Sequence, residues 1–308
     1  MKKLSAILSC FLFIIPSILV HGQQSFDLIS LESKTFFGNF SIVPGSAKKI
    51  TDRAGYDNQP CFINNLQVAF SSIDEKGNSD IILYSFDKEN FTNMTRTSDK
   101  SEFSPRLTDC GQYISAVTVE EDSTQRLWLY PINFGEPELL YDDIEPVGYY
   151  AWYNNIAAMY LLGEPNELVY PYSRDNVITL AENVGRSIQK RPKTSQITYI
   201  DHGASVVLNG KSTYEIKFYD IDEKNTGNYG VALSESDDFV WIDKNTMLMA
   251  QGQELYIKKV NKNLDWEKIA SVSMPGYGNI SRLAVSPKGD KIVLVMERKI
   301  DTVATNAD

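Results

Sequence analysis

Nine polar or aromatic side chains return at comparable places along a repeating chain: Asp57 and Gln59, Glu102, Tyr149 and Tyr150, Arg186, Asp237 and Asp238, and Arg282. Guanidinium forks match planar anions, so Arg186 and Arg282 suit a carboxylate, a phosphate or a sugar acid. The two tyrosines add apolar ring faces with polar tips. Glu102, Asp238 and Arg282 are the candidates for hydrolysis or elimination on a carbohydrate or ester. That chemistry requires carboxylates gathered in one pocket, with at least one pKa raised by burial or like charge. Asp237-Asp238 alone is a poor catalytic pair, because neighbouring residues on a strand point to opposite faces. Charged groups at such positions can equally tie the repeats together by pairing with one another.

Other chemistry lacks parts. His202, beside Asp201, is the only histidine apart from His21, and it reads as a loop residue. No Gly-x-Ser-x-Gly elbow occurs, so a serine hydrolase has neither its turn nor a placed base. Asn209-Gly210-Lys211-Ser212-Thr213 lacks the first glycine of a phosphate-binding loop, and Tyr214–Phe218 after it reads as a strand. Asn-Gly is there a tight hairpin turn. The acidic segments 74–80 and 220–223 do not have the spacing of a calcium-binding EF-hand, and they read as solvated loops. No cofactor is expected, though a structural cation such as calcium remains compatible with them. Cys61 falls in an inner strand and Cys110 at a hairpin tip of the next repeat, so the two are expected to stay unpaired.

The elements that must position these groups repeat about every 45 residues, a period that marks a propeller or solenoid. Short β-branched and aromatic runs alternate with Asn, Asp, Gly and Pro, and no segment sustains a helical period. Each repeat reads as four strands, with starts near 57, 102, 147, 183, 236 and 280. Aligning the inner hairpins places Phe62, Leu107, Trp152, Ile188, Trp241 and Val285 in one apolar column between neighbouring repeats. The last repeat has only an inner hairpin, Arg282 to Val295. Residues 23–55 supply its outer strands, with Phe26–Leu31 as the third and Lys48–Thr51 in the fourth. The fold class is therefore all-β: a six-bladed β-propeller of four-stranded antiparallel blades, the last closed by strands from both termini. A slip of one residue in any inner strand would turn its side chains to the other face.

The first 22 residues combine Lys2-Lys3 with an apolar stretch from Ala6 to Val20 interrupted by Pro16. They read as a signal peptide cleaved near Gly22, not as a permanent membrane anchor. The remainder, 23–308, is one domain, with 300–308 as a frayed tail, located in the periplasm or secreted. Removing Lys2 and Lys3 leaves 28 basic against 40 acidic residues, a net charge near −12. Such a field repels phosphate backbones, so nucleic acid is not an expected partner.

Pro60-Cys61-Phe62, Glu102-Phe103-Ser104-Pro105 and Ser286-Pro287-Lys288-Gly289 resemble the proline-containing repeat of TolB-like six-bladed β-propellers. Gln125–Trp128, Gly148–Trp152, Gly185–Ser187 and Arg282–Pro287 extend the resemblance over nearly all of 23–308, most closely to secreted single-domain members. The usual Asp-Gly hairpin tips are replaced by Asn64-Asn65, Cys110-Gly111, Asn154-Asn155, Lys244-Asn245 and Lys288-Gly289, residues that still suit left-handed turns. TolB's additional α/β domain has no counterpart, so its role in an envelope complex is not implied. The expected function is a non-enzymatic binding platform for an envelope or extracellular protein, a peptide or a glycan at a channel mouth, in a protein expected to be a monomer. Tyr149, Tyr150, Tyr153 and Tyr277 are candidate exposed contacts, and packing between blades is an equal reading of them. A channel-site hydrolase or lyase is the alternative.

Overall fold

The structure, a computed structural model, describes residues 24–299 except 209 and 263. The expected signal peptide and the 300–308 tail lie outside the described residues. The chain opens with β1 (Phe26–Phe36), β2 (Asn39–Ile42) and β3 (Lys48–Lys49). The first complete blade follows with β4 (Asp57–Asn64), β5 (Gln67–Ile73), β6 (Ser79–Ser85) and β7 (Asn90–Asn93). The second is β8 (Ser101–Leu107), β9 (Tyr113–Val119), β10 (Gln125–Pro131) and β11 (Glu138–Leu139). The third is β12 (Val147–Tyr153), β13 (Ile156–Leu161), β14 (Glu167–Ser173) and β15 (Asn176–Glu182). The fourth is β16 (Gln189–Lys190), β17 (Gln196–Leu208), β18 (Lys211–Asp220) and β19 (Asn225–Val231). The fifth is β20 (Phe239–Asp243), β21 (Thr246–Gln251), β22 (Glu254–Lys259) and β23 (Glu267–Ser271), and β24 (Tyr277–Val285) and β25 (Lys291–Arg298) end the described chain. One 3-10 turn, Val260–Lys262, is the only helical element among the described residues.

Each of the first five blades is a four-stranded antiparallel meander. The sixth has the order β2-β1-β25-β24, with β3 also on β1, so strands from both ends of the chain close the ring. β1 pairs with β25 from Phe26↔Glu297 to Glu32↔Lys291. The outer position is shared: β3 pairs with Ile29 and Ser30, and β2 with Ser33 to Phe36. Among the described residues the hydrophobic core consists of six clusters, one at each blade interface. A single sheet has no core of its own, so each blade gains its burial free energy only by stacking, about 1.5–3 kcal/mol per fully buried Leu, Ile or Val.

Polar bonds repeat at the same interfaces. The Trp152 indole donates to Ser115 Oγ at 2.9 Å, and Ser115 Oγ donates to the Arg106 carbonyl at 3.0 Å. Two blades on, Trp241 donates to Thr198 Oγ1, which donates to the Gln189 carbonyl. This equivalence corrects the expected column. Leu107 pairs with Ile114 as Lys190 pairs with Ile197, so Lys190, not Ile188, occupies the fourth-blade position. Ile188, two residues earlier, is fully buried in the interface of blades three and four. The ladder of β16 is only two residues long, which left the sequence pattern with little to fix its register.

The hairpin tips divide into two kinds. Gly111, Gly289, Asn154 and Asn155 adopt the expected left-handed conformation. At the first and fifth blades the side chains of Asn64 and Asp243 instead accept the N–H two residues on, from Leu66 and Asn245. The turn is closed there by an Asx side chain without positive φ. Leu208 pairs with Lys211, and Asn209 of the expected Asn209-Gly210 turn lies outside the described residues. Cys61 and Cys110 are both free thiols. No helix among the described residues is long and apolar enough to cross a membrane.

Candidate functional site in the central channel

Four inner strands carry a one-residue irregularity at the same level. In β4 the pairing jumps between Asn58 and Cys61, in β8 between Phe103 and Arg106, in β12 between Val147 and Tyr149, and in β24 between Ile280 and Arg282. Each is a β-bulge, in which one extra residue re-aims the side chains beside it. Gln59 and Ser104 hold left-handed φ values of 58° and 54° to make theirs. Non-glycine residues pay about 1–2 kcal/mol for that conformation. Pro60 and Pro105 follow directly, as expected where a proline sits in a bulged strand. The strain is offset by bonds between strands: Gln59 Oε1 accepts the Ser104 N–H at 2.8 Å and the Ser71 hydroxyl at 2.9 Å.

The bulges surround a cavity of about 40 Å³ lined by Gln59, Ser104, Arg106, Tyr149, Arg186 and Arg282, together with Pro105, Tyr150, Ser187, Gln189 and Asp238. Of the nine residues singled out in the sequence, six therefore meet: Gln59, Tyr149, Tyr150, Arg186, Asp238 and Arg282. Three do not line the cavity. Asp57 is fully buried and clamped by Arg53, at 2.6 and 3.0 Å, and by Ser72. Glu102 is fully buried where Thr97 and Tyr130 donate to its carboxyl, at 2.8 and 3.1 Å. Burial raises its pKa, and the nearby Asp80, itself held by Asn93 and Thr95, adds to the rise. Asp237 lies beside the cavity, 2.9 Å from His202 Nε2 and 3.7 Å from Arg186 Nε.

His202 is a strand residue of β17, not a loop residue. Its ring packs on Tyr214 with 4.4 Å between centroids. The hydrogen bond to Asp237 raises its pKa against the opposing effect of burial. Gly185 permits this pair, since a Cβ there would stand 2.8 Å from Asp237 Oδ1 and 2.9 Å from His202 Nε2. Of the four tyrosines expected to be exposed, Tyr150 and Tyr277 are buried, and Tyr149 and Tyr153 are half-buried. Tyr150 donates to the Ser104 carbonyl at 2.9 Å, and Tyr277 to Asp27 at 2.7 Å. Their rings belong to blade interfaces.

Arginines bridge the channel. Arg106 donates to the Ile188 carbonyl at 3.0 Å, Arg186 to the Ser281 carbonyl at 3.0 Å, and Arg282 to the Tyr149 hydroxyl at 3.1 Å. Arg282 also lies over the Tyr149 ring, 5.2 Å from its centroid, a cation–π distance. These acceptors are neutral. Asp238, the only carboxylate lining the cavity among the described residues, accepts the Leu283 N–H at 2.8 Å. Burial raises its pKa although Arg282 and Arg186 oppose the rise. Burial disfavours the charged form of Arg282, but Asp238 and the nearby phenols outweigh it and raise its pKa. Arg106 and Gln189 did not stand out in the sequence. The available signal was the shared proline at 60 and 105, which marks the bulge that places Arg106.

Among the described residues no group of three or more His, Cys, Asp or Glu gathers to hold a metal. Asp74, in the acidic loop considered for calcium, accepts the N–H groups of Lys76 and Asn78. A second concavity, an open groove of about 760 Å³, lies by the inner hairpin tip of blade five, lined by Phe37, Trp241, Lys193, Lys244, Lys259 and Lys262 among others. Phe36 and Phe37, at the β1–β2 tip, are 69% and 90% exposed.

No family model matches the sequence, and no curated protein matches it. Solved structures do share the fold. A putative TolB from Agrobacterium tumefaciens superposes with a TM-score of 0.66 at 10% identity, over 91% of this chain and 100% of that one. TolB from Acinetobacter baumannii gives 0.56 at 10% identity, over 89% of this chain and 65% of that one. An oligogalacturonate lyase from Vibrio parahaemolyticus gives 0.51 at 10% identity, over 90% and 99%. At such identity the likeness concerns the fold alone, and the ring of six four-stranded blades closed by both ends of the chain is a TolB-like six-bladed β-propeller.

Proposed function

We propose that the protein is a non-enzymatic binding platform, working in the periplasm or outside the cell, that receives a protein, peptide or glycan partner at the channel mouth. The observation that carries this reading is the composition of the channel. Arg106, Arg186, Arg282 and Tyr149 gather there with one carboxylate, Asp238, and without a nucleophile–base pair. Groups of this kind recognise and orient, whereas glycoside hydrolysis uses two carboxyl groups at the same place. The channel-site hydrolase or lyase reading is disfavoured on two counts. Glu102 is committed to Thr97 and Tyr130, and a cavity of about 40 Å³ cannot enclose a sugar ring. A TolB-like fold is compatible with protein partners, and the acidic surface disfavours nucleic acid.

Site-specific photo-crosslinking tests the proposal. A photoreactive residue replacing Gln189, in the channel, is compared with replacements of Phe37, beside the groove, and Asp142, on the exposed rim. A discrete crosslinked partner from position 189, lost in Arg282→Gln, is the expected result. Crosslinks that arise only from the rim, or turnover of oligosaccharides or esters abolished by Asp238→Asn, would overturn it.

A further inference from the structure

We propose that the channel cavity is a binding site for a single carboxylate group, held by Arg106, Arg186 and Arg282 with help from Ser104. This rests on the channel-mouth reading above and names the chemistry that the mouth recognises.

The first argument is charge. Three guanidiniums line the cavity against Asp238 alone, whose Oδ2 is occupied by the Leu283 N–H. Among the described residues no carboxylate lies in ion-pair range of Arg106 or Arg282, and Arg186 meets Asp237 only at 3.7 Å. Half-buried cationic groups that no carboxylate neutralises favour an anion from outside.

The second argument is hydrogen bonding. Each guanidinium offers five N–H donors in a planar fork. Arg106, Arg186 and Arg282 each engage only Nη2, on a carbonyl or a phenol. Ser104 Oγ and Arg186 Nε are buried without a hydrogen-bond partner, and both belong to residues lining this cavity. Buried polar atoms are rarely left unpaired in folded proteins. Arg186 Nε has Asp237 Oδ2 at 3.7 Å, so Ser104 Oγ is the atom that a ligand in the cavity would satisfy. Ser104 is also held in its strained left-handed conformation by the bulge, so its position is maintained at a cost to the fold.

The third argument is size. A buried water needs roughly 10–15 Å³ of such volume. The cavity of about 40 Å³ therefore has room for a small group such as a carboxylate and not for a whole sugar ring. Planar carboxylates also match the arginine fork in two parallel bonds. The carboxylate can belong to a small free acid or to the terminus or side chain of a partner.

Isothermal titration of the purified protein with acetate, with phosphate, and with a short peptide carrying either a free or an amidated C-terminus tests the site. Acetate is expected to bind one-to-one, and more tightly than phosphate. Arg282→Gln should weaken acetate binding at least tenfold. Ser104→Ala, which removes a hydroxyl without a protein partner, should weaken it several-fold and leave the melting temperature in acetate-free buffer unchanged. A free-terminus peptide that binds more tightly than acetate, with its amide silent, assigns the carboxylate to a partner chain; acetate binding with both peptides silent assigns it to a small free acid. The proposal falls if acetate gives no heat at millimolar concentration, or if its binding survives both substitutions. Partner crosslinking at position 189 that acetate does not compete would leave the platform standing while this site falls. Acetate binding without any partner crosslink would do the reverse.

Discussion

Glu102 shows how a carboxylate that looks functional in the sequence can be given to the fold. It stands at the start of an inner strand, yet its side chain is enclosed with Thr97 and Tyr130. Its folded pKa is raised above the ordinary glutamate value, so the native state binds the proton more tightly than the unfolded chain. Its contribution is therefore most favourable at low pH and declines as pH rises from the unfolded value through the folded one. Glu102→Gln should melt higher than the parent at pH 8, with the difference shrinking toward pH 4, as followed by thermal denaturation across that range. His202 is a cationic group with a raised folded pKa. Its pairing with Asp237 contributes fully below the unfolded value of about 6.5 and is lost as pH rises through the folded value. The destabilisation caused by His202→Asn should accordingly be present at pH 6 and gone by pH 9. An unchanged penalty at both pH values would assign the role of His202 to its packing on Tyr214 instead.

Among the elements, the hairpins and bulges translate sequence into placement. The β12–β13 connection is a two-residue turn, Tyr153↔Ile156, with Asn154 and Asn155 at φ 53° and 58°. Such paired positive values belong to the hairpin turn that favours Asn and Gly. Asn155→Val should cost about 1–2 kcal/mol, whereas Asn155→Gly should remain within a few tenths, measured by urea midpoints at constant slope. The bulges act on the neighbouring channel. In an unbroken ladder, Gln59 and Ser104 would follow the strict alternation of their strands. One extra residue breaks that alternation and, in β8, brings Ser104, Pro105 and Arg106 all to the cavity wall. The proline at 60 and at 105 made these irregularities detectable in the sequence. The bulges at Gly148 and Ser281 carry no such mark and follow from how β12 and β24 pair.

The whole molecule depends on closing its ring. Asp27 is fully buried in the sixth blade and accepts from Arg298 Nε at 2.9 Å, Tyr277 at 2.7 Å and Thr51 at 3.0 Å, so it joins β1, β24, β25 and the segment after β3. Asp27→Ala leaves these donors without their acceptor and should cost about 3–5 kcal/mol, read as a lower urea midpoint. A loss below about 1 kcal/mol would mean that the apolar pairs of β1 with β25 suffice for closure. The repeat period, the strand-and-turn chemistry and the missing outer strands of the last repeat were enough in the sequence to determine six blades and a closure from both termini, because these are local patterns repeated six times. Two unpaired cysteines followed from the same topology. The sequence also identified six of the residues that line the channel. Only the tertiary structure separated those six from Asp57, Glu102 and Asp237, added Arg106 and Gln189, moved Ile188 two positions out of its expected column, and showed Tyr150 and Tyr277 to be buried. The physical reason is that side-chain direction depends on the running count of residues along each strand, and one bulge alters that count. Which charges then meet across a channel depends on six strands far apart in sequence, and no single repeat contains that information.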